Sequence, residues 1–462
     1  MTAERAFLGL SHTPLMGLNP VAPAVEAELS AALDAARDAV HAWRPDRVVL
    51  IGPDHYNGFF NELMPSFCIG TEATSVGDYT TPAGPLNVDA QTAEALAAHL
   101  MDAGFDPAVS RRMQVDHGFA QALQVLWGGL DTPPVIPIFM NAVAQPGIPR
   151  GRRCLQLGRA IGAFLDTVPG RTLLIGSGGL SHEPPVPTLS HPDPAVRERI
   201  TVRSTPTQAE RDAKTQRVMA AGRALAAGDP SMKPLAPEWD ARWMDAIEDG
   251  RLDELARLDE AGITRDAGLS AHESKTWLIA RAALPEGAPV ARAARFYRAI
   301  PDYIAGFGVL ALTAGTGSRT LPESTAFDRI IGTGRSPSAA ATMLGWRLLE
   351  VDQQAGTIRV RFDAKPEFAN PIGNVQGGIL ASMLDETMGP VSLTRLAPAE
   401  FAPTVEFKVG FVRPVPIGPV IGVARVVNAG RSLLFLEGQL QDERGRLVAT
   451  ATATAMRVAA PG

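Results

Sequence analysis

Short apolar runs alternate with longer amphipathic segments through roughly the first 185 residues of this 462-residue chain. The apolar runs are typical of buried strands and fall at residues 6–10, 47–52, 134–140 and 172–176. The amphipathic segments repeat their apolar positions about every 3.6 residues, which predicts helices at residues 24–43, 89–103 and 151–166. This alternation predicts an α/β fold, in which helices cover the faces of a sheet.

The middle of the chain is richer in proline and charge but is assigned to the same domain. Between Pro184 and Pro237 one helix is predicted, at residues 208–226. Later elements are predicted as helices at 240–249, 252–261 and from Ser270 to about Leu284, and as a last strand from Tyr303 to Leu312. The first domain is therefore predicted to cover residues 1–314.

The last third of the chain has a β-rich pattern around one long helix. Small polar residues and glycines predict a linker at 315–324. Beyond it, strands are predicted at residues 342–351, 357–363, 403–412, 419–428, 432–441 and 446–457. With the helix predicted at 377–395, these strands predict a second domain of α+β type over residues 325–462.

Composition narrows the classes of partner and compartment. The net charge is −6 and no basic block occurs, so nothing favours nucleic acid or an anionic membrane surface. Only Cys68 and Cys154 are present, which argues against a disulfide framework and a cysteine-built zinc site. The first residues lack a signal-peptide pattern, and no apolar run reaches the length of a membrane span. We therefore expect a cytoplasmic protein.

Histidines follow several of the predicted strands. Four of the eight, His12, His55, His117 and His182, stand at the ends of short apolar runs. Ligands of open α/β sheets bind outside the carboxyl ends of the strands. The pattern therefore predicts a shared pocket that holds a metal, transfers protons, or both.

A metal site of two histidines and one carboxylate needs an acid from elsewhere in the chain. Glu273 is a candidate, although the spacing of Ser270 and Glu273 is also that of a helix capping box, and spacing alone favours the cap. The glycines of residues 176–179 are predicted to let the backbone approach a ligand closely. On these residues alone, the prediction stops at a metal or acid–base site in an α/β domain.

Long motifs surround these residues. They read Leu10-Ser-His-Thr-Pro-Leu15, Pro53-Asp-His-Tyr-Asn-Gly-Phe-Phe60, Met113-Gln-Val-Asp-His-Gly-Phe-Ala-Gln121, Gly176-Ser-Gly-Gly-Leu-Ser-His-Glu-Pro-Pro-Val-Pro187 and His272-Glu-Ser-Lys-Thr-Trp277. Over residues 5–313 the chain closely resembles class III extradiol dioxygenases, nearest the 2,3-dihydroxyphenylpropionate 1,2-dioxygenase group. The resemblance implies an enzyme that uses non-haem Fe(II) and O2 to open a catechol ring beside its two hydroxyls.

The same resemblance implies a role for each residue of the first site. His12, His55 and Glu273 match the positions of the iron ligands, which would replace the capping role of Glu273 or combine with it. His182 matches the base that takes a proton from the catechol, and His117 matches the proton donor to the ring-derived intermediate. The choice of Fe(II) rests on the resemblance, because the same ligands accept Mn(II).

The second domain carries its own motif, Asn370-Pro-Ile-Gly-Asn-Val-Gln-Gly-Gly-Ile-Leu-Ala-Ser-Met-Leu-Asp385. Paired glycines before an apolar helix expose backbone N–H groups, and an acid within such a helix is costly unless it is used or paired. A glycine-rich turn and a salt-bridged aspartate explain the pattern equally well. The stretch 325–457, however, resembles acyl-CoA thioesterases of the hotdog fold, of the phenylacetate-pathway type.

That second resemblance implies a catalytic centre shared between two subunits. The N–H group of Gly377 would polarise the thioester carbonyl, and Asp385 would be the nucleophile or general base. Asn370 would position water or substrate, and Thr404 would place a hydroxyl near the acid. Arg431 would lie near CoA. A homo-oligomer formed through this domain is implied.

One residue departs from the thioesterase pattern. Gln376 stands where the family usually has histidine, and an amide cannot exchange a proton near neutral pH. We predict a bifunctional enzyme of aromatic catabolism that cleaves a 2,3-dihydroxyphenylpropanoate-like catechol and hydrolyses an acyl-CoA. The first alternative is a dioxygenase whose hotdog domain only binds a ligand or drives oligomerisation. The second is a metal-dependent hydrolase on the same α/β scaffold.

Overall fold

The computed structural model describes residues 3–285, 290–314, 325–331, 338–397, 399–430 and 432–459. They fall into two compact units, one before and one after the stretch 315–324. The linker predicted there lies outside the described residues. Among the described helices, none combines the length and the apolar character that crossing a membrane requires.

The first unit is built on an eight-stranded sheet with helices on its faces. The strands of this unit are β1 (Ala3–Leu10), β2 (Arg47–Gly52), β3 (Phe67–Gly70), β4 (Ala73–Val76), β5 (Ala83–Pro85), β6 (Ala108–Ser110), β7 (Met113–Val115), β8 (Val135–Met140), β9 (Gly170–Ser177), β10 (Val290–Ile300) and β11 (Ala305–Ala314). The helices are α1 (Pro23–Trp43), α2 (Ala90–Asp102), α3 (His117–Trp127), α4 (Gly151–Leu165), α5 (Pro194–Thr201), α6 (Gln208–Ala226), α7 (Pro237–Asp249), α8 (Leu252–Ala256), α9 (Glu260–Ala267) and α10 (Lys275–Ala282).

The central strands of the large sheet run parallel. The strand order is β10-β11-β1-β9-β2-β8-β3-β6, and β9 pairs in parallel with both β1 and β2. Strand β8 continues the parallel pairing on β2, whereas β10 and β11 close one edge in antiparallel fashion. The predicted α/β fold is confirmed, and the carboxyl ends of β1, β2, β8 and β9 meet at one edge.

Neighbouring residues of the central strands pack into different cores, so both faces of the sheet are covered. Phe7 and Val49 belong to a core that includes α4 and α10 residues. Leu8 and Val48 belong to a second core that includes α1 and α3 residues. Because each central strand is buried on both faces, its sequence is a continuous apolar run, which is why the predictions of β1, β2, β8 and β9 succeeded.

Several elements of this unit escaped the sequence pattern: the short strands β3 to β7, helix α5, helix α3 and strand β10. Helix α3 is buried on nearly every side, so it lacks the polar face that reveals an amphipathic helix. Strand β10 lies at the sheet edge and is rich in alanine and arginine, so no apolar run marks it. The helix predicted from Ser270 to about Leu284 is confirmed in its second part, as α10, but its first turn differs. A 3₁₀ turn, Leu269–Ser274, precedes α10 and carries Glu273.

The second unit is a six-stranded antiparallel sheet that packs on one long helix. Its strands are β12 (Arg347–Asp352), β13 (Thr357–Ala364), β14 (Glu400–Phe401), β15 (Thr404–Phe411), β16 (Gly418–Ala429), β17 (Leu433–Gln441), β18 (Leu447–Met456) and β19 (Val458–Ala459). The helices are α11 (Ala326–Ile330), α12 (Ala339–Met343) and α13 (Gly377–Ser392). The sheet order is β12-β13-β16-β17-β18-β15, with α13 against its inner face. The predicted hotdog fold is confirmed, but the strand predicted at 342–351 is wrong at its start, where α12 ends.

The glycines of residues 176–179 make room for protein rather than for a ligand. A Cβ atom on Gly178 would lie 2.4 Å from the carbonyl oxygen of Glu273 and 2.9 Å from Thr276 Oγ1. A Cβ atom on Gly176 would lie 2.6 Å from the Cα atom of Trp277. The glycines therefore let the end of β9 pack directly against the segment that carries Glu273.

Gly178→Ala is expected to lower the free energy of unfolding of this unit by about 1–3 kcal/mol, because the new methyl group meets backbone that cannot rotate away. Urea unfolding followed by circular dichroism measures the change. Gly129→Ala is the matched control, since nothing lies within 4 Å of a Cβ atom there. Equal stability of the two variants would contradict this account of the glycine run.

Candidate active site

The parallel strands bring three of the predicted histidines to one edge of the sheet. His12 follows β1, His55 follows β2 and His182 follows β9. His117 is the first residue of α3, and its ring stacks on that of His55 with 4.4 Å between centroids. The ring of His12 lies edge-on to both, at 5.6 Å from His55 and 5.4 Å from His117. The predicted imidazole-rich pocket is present.

Glu273 lies at the centre of these histidines. Its side chain is fully buried and accepts a hydrogen bond from the backbone N–H of Gly179 at 3.1 Å. The Nε2 atoms of His12, His55 and His182 lie 3.4, 3.2 and 3.3 Å from its carboxylate oxygens. The 3₁₀ turn has no side-chain cap, so the capping interpretation of Ser270 and Glu273 is wrong. The carboxylate faces the histidines instead.

The other ring nitrogen of each histidine is held by the surrounding protein. His12 Nδ1 pairs with Ser177 Oγ at 3.0 Å, and His55 Nδ1 donates to Asp116 Oδ2 at 3.0 Å. Asp116 also caps α3 by accepting from the N–H of Gly118 at 2.9 Å. A histidine whose Nδ1 carries the proton presents a lone pair at Nε2, which is the arrangement usual for metal-binding histidines.

The charges of the site favour a cation among these groups. Burial would raise the pKa of Glu273, but the neighbouring His182 and His12 hold it well below its ordinary value, so the side chain is a carboxylate. Burial lowers the pKa of His12 to about 3, so this ring is neutral. Burial would lower the pKa of His55 as well, yet Asp116 and Glu273 raise it well above the ordinary value. The carboxylates thus attract positive charge to the space between the rings.

A metal ion fits this donor set. The Nε2 atom of His12 is buried and lacks a hydrogen-bond partner among the described residues, although it points at Glu273. A cation between that nitrogen, His55 Nε2 and the carboxylate would satisfy all three, and two histidines with one carboxylate form a known type of metal site. His117 also offers a ring nitrogen within 4.8 Å of those of His12 and His55. Glu273 is the better third ligand, because it supplies the compensating negative charge.

The two remaining histidines are also held through their Nδ1 atoms. His182 Nδ1 donates to the carbonyl of Leu180 at 2.9 Å, which leaves Nε2 directed into the site. His117 Nδ1 donates to Asp78 Oδ2 at 2.6 Å, and Asp78 accepts the backbone N–H of His117 as well. Burial would lower the pKa of His182, but Glu273 raises it above its ordinary value. In both rings Nδ1 is held by the protein, and Nε2 is the nitrogen that remains.

These groups open onto a cavity of about 860 Å³. Its walls come from the loops after β1 and β2, from the segment before α3 and from α5 and α6. All four histidines line it, together with Tyr79, whose ring lies edge-on to His117 at 5.0 Å. The cavity is large enough for an aromatic substrate with a side chain.

Sequence reasoning missed the carboxylates that support the histidines. Asp78 follows no apolar run, and its contact with His117 depends on the fold. Asp240 is fully buried and accepts hydrogen bonds from the N–H and hydroxyl of Ser181, at 2.7 and 2.6 Å, which anchors the turn next to His182. No local signal marks either residue.

The second unit places only part of its predicted site together. Thr404 Oγ1 donates to Asp385 Oδ1 at 2.9 Å. Asn370 instead accepts the N–H groups of Ile372 and Asn374 within its own turn, and it has no hydrogen bond to Asp385 in the described chain. Arg431 lies outside the described residues.

Gln376 has a structural role at the start of α13. Its side-chain oxygen accepts the N–H of Ile379 at 3.1 Å, so it is the N-cap of the helix. The N–H group of Gly377, the first residue of α13, has no protein acceptor within the described residues. The resemblance assigns this N–H group to the thioester carbonyl, and that assignment stays a prediction.

Comparisons with known proteins agree with both halves of this description. Residues 6–308 match the family described as the catalytic LigB subunit of aromatic ring-opening dioxygenase, and residues 372–449 match the thioesterase superfamily. A 2,3-dihydroxyphenylpropionate/2,3-dihydroxicinnamic acid 1,2-dioxygenase of Comamonas testosteroni is 68% identical over 310 residues, 67% of this chain and 97% of that protein. A protein of the same name from Burkholderia vietnamiensis is 49% identical, over 67% of this chain and 98% of its own length.

Among solved structures, a phenylacetic acid degradation-related protein of Ralstonia eutropha is 35% identical to 28% of this chain, over 98% of its own length, with a TM-score of 0.27. The family match covers most of the chain and the whole histidine site. This chain belongs to the family of the catalytic LigB subunit of aromatic ring-opening dioxygenases and carries in addition a thioesterase-superfamily domain of hotdog fold.

Proposed function

We propose that the first unit uses Fe(II) and O2 to cleave, in extradiol fashion, a catechol similar to 2,3-dihydroxyphenylpropanoate. The observation that carries the proposal is the convergence of His12 Nε2 and His55 Nε2 on the buried carboxylate of Glu273. These three residues are the proposed ligands. The names of the relatives from Comamonas and Burkholderia support the substrate class. Oxygen uptake distinguishes this proposal from the second alternative, because a non-oxidative metal hydrolase on this scaffold would consume no O2.

Fe(II), when bound, supplies Lewis acidity and holds the catechol oxygens and O2 side by side. Cleavage breaks the ring C–C bond beside the two hydroxyl-bearing carbons, and both oxygen atoms of O2 remain in the product. His182 is the proposed base, because its Nε2 faces the site while Nδ1 is held by Leu180. His117, held by Asp78, is the proposed proton donor to the opened ring.

His182→Gln is expected to lower kcat of ring cleavage by about 10²-fold or more, because glutamine cannot exchange a proton at neutral pH. The protein is loaded anaerobically with Fe(II) and given 3-(2,3-dihydroxyphenyl)propanoate. Oxygen uptake and the yellow ring-opened product are then followed together. The wild-type protein should consume one O2 per catechol.

Two results would contradict this proposal. If the iron-loaded wild-type protein takes up no oxygen with this or related catechols, the proposed dioxygenase function is refuted. Unchanged kcat in the His182→Gln variant would leave the function and remove the role of His182. His99→Gln is the matched control, because His99 lies on α2 and does not line the cavity.

For the second unit we propose hydrolysis of an acyl-CoA thioester by a centre formed between two subunits. Gly377 and Asp385 lie on one helix, eight residues apart, so about 12 Å of helix separates them. That distance is too large for both to act on one carbonyl. A homodimer that pairs the helix start of one subunit with Asp385 of the other would bring them together. Asn370, Thr404 and Arg431 are proposed to assist this centre.

The alternative of a non-catalytic hotdog domain is motivated by Gln376. The side chain of Gln376 caps α13 and so stabilises the helix start to which Gly377 belongs. This capping role requires no proton exchange. The hydrogen bond from Thr404 to Asp385 favours the catalytic proposal, because it orients a half-buried carboxylate that has no ion-pair partner within the described residues.

A further inference from the structure

Helix α6 borders the active-site cavity with a row of positive charges. Arg211, Lys214 and Arg217 are spaced three residues apart, and all three line the cavity. Residues at this spacing lie close together on a helix surface. The sequence offered no reason to single them out, because α6 reads as a polar surface helix.

Lys214 lies next to the proposed metal site. Its Nζ atom donates to the backbone carbonyl of His55 at 3.3 Å, and the residue is half-buried. An ammonium group has three N–H donors, so two remain for another partner. Of the carboxylate oxygens in the described chain, none lies within 4.0 Å of Lys214 Nζ. The charge therefore faces the cavity without a counter-ion from the protein.

Arg217 lies one helical turn after Lys214 and also lines the cavity. Burial raises the pKa of Tyr79, and the charge of Arg217, whose side chain is exposed, opposes that rise. Its guanidinium has no carboxylate within 4.0 Å among the described residues. Two cations of α6 thus line the cavity, and one of them, Lys214, contacts His55.

The acidic residues of the cavity wall are engaged elsewhere. Asp78 binds His117, and Glu210 closes a capping box with Thr207. Asp212 accepts from the side-chain amide of Gln208 at 2.8 Å. None of these three acids forms an ion pair with Lys214, so the half-buried ammonium can take a charged partner from a ligand. A partly desolvated cation gains most from a charged acceptor.

We infer that Lys214, assisted by Arg217, binds a carboxylate carried by the side chain of the catechol substrate. The inference rests on the proposed ring-cleavage function and makes it more specific. Lys214 contacts the backbone carbonyl of His55, a proposed metal ligand. It can therefore reach a short acidic side chain on a catechol bound there. The subsite would select acidic catechols over neutral ones of the same size.

The test compares 3-(2,3-dihydroxyphenyl)propanoate with its methyl ester, which keeps the catechol and removes the charge. In the Lys214→Met variant of the full, iron-loaded chain, we expect KM for the acid to rise by about 10- to 100-fold, the effect of losing one hydrogen bond to a charged group. Arg217→Met should raise it less. KM for the ester and kcat for both substrates should stay within about twofold of the wild-type values, which is a smaller change than the loss of one such hydrogen bond would cause.

Anaerobic titration calorimetry provides a second readout that does not depend on turnover, and Kd of the acid should rise in parallel. Lys214→Arg keeps the charge and should retain the preference for the acid. Arg223→Met is the matched control, since Arg223 is an exposed cation of α6 that does not line the cavity. It should bind the acid as the wild-type protein does.

The outcomes separate the subsite from the function. Equal losses for acid and ester in Lys214→Met would mean that Lys214 acts through His55, and they would overturn the inference. Unchanged KM and Kd for the acid would overturn it too. If the wild-type protein cleaves neither catechol, the proposed function fails, while the anaerobic Kd of wild type and variant still decides whether Lys214 binds the acid.

Discussion

Glu273→Gln is expected to remove bound Fe(II) from the purified protein and to lower kcat/KM of ring cleavage by at least about 10³-fold, which corresponds to ~4 kcal/mol. Glutamine fits the same space but carries no charge. The negative charge of Glu273 faces three histidine Nε2 atoms in a site closed to solvent, and no other carboxylate described in the structure touches all three. Metal content after anaerobic loading and desalting measures the first effect, and oxygen uptake measures the second.

A nearby glutamate distinguishes loss of a ligand from damage to the turn. Glu183 accepts the N–H of Leu269 at 2.9 Å, at the beginning of the turn that carries Glu273. Glu183→Gln keeps an acceptor oxygen there and should retain iron and activity. Full iron content in Glu273→Gln would refute its assignment as a ligand. Loss of iron in both variants would point to the turn rather than to the carboxylate.

Asp385→Asn is expected to lower thioester hydrolysis by about 10³-fold, because an amide is neither a general base nor a nucleophile for this reaction. Ring cleavage should be unchanged, since Asp385 belongs to the other unit. Release of CoA from phenylacetyl-CoA, followed by a thiol reagent, measures hydrolysis. Both reactions are measured on the same preparation, so each serves as the folding control for the other.

The neighbouring acid on α13 provides the control variant. Glu386 accepts a hydrogen bond from Ser338 at 2.7 Å and is not bonded to Thr404. Glu386→Gln should keep thioester hydrolysis. Hydrolysis that survives in Asp385→Asn would refute the role of the aspartate. A wild-type protein that hydrolyses no acyl-CoA would support the non-catalytic alternative for the hotdog domain.

Strands β2 and β9 and helix α3 show why the sequence predicted the central strands of the sheet but not every helix. The segments that form β2 and β9 are buried on both faces, so each appears in the sequence as an uninterrupted apolar stretch. Helix α3 is buried in a similar way, and without a polar face it has no period to detect. A helix is recognised by its alternation between buried and solvent-exposed faces, so a helix with little contact with solvent gives no such pattern.

The histidine site shows the same division between local and distant information. His12, His55 and His182 follow apolar runs, and parallel strands put their carboxyl ends together, so a shared pocket was predictable. Glu273 was ambiguous, because spacing to Ser270 describes only its local surroundings. The structure decides it through the 3₁₀ turn and through contact with residues more than two hundred positions earlier in the chain.

By itself, the sequence determined the two fold classes, the edge of the sheet where the site lies and the kinds of side chain that form it, because buried strands and the residues that follow them leave a local pattern. Only the tertiary structure decided what each group faces. It turned Glu273 toward three imidazoles, placed Asp78 and Asp116 behind His117 and His55, and set Lys214 at the cavity wall. These contacts join residues that are far apart in the chain, so local spacing cannot predict them.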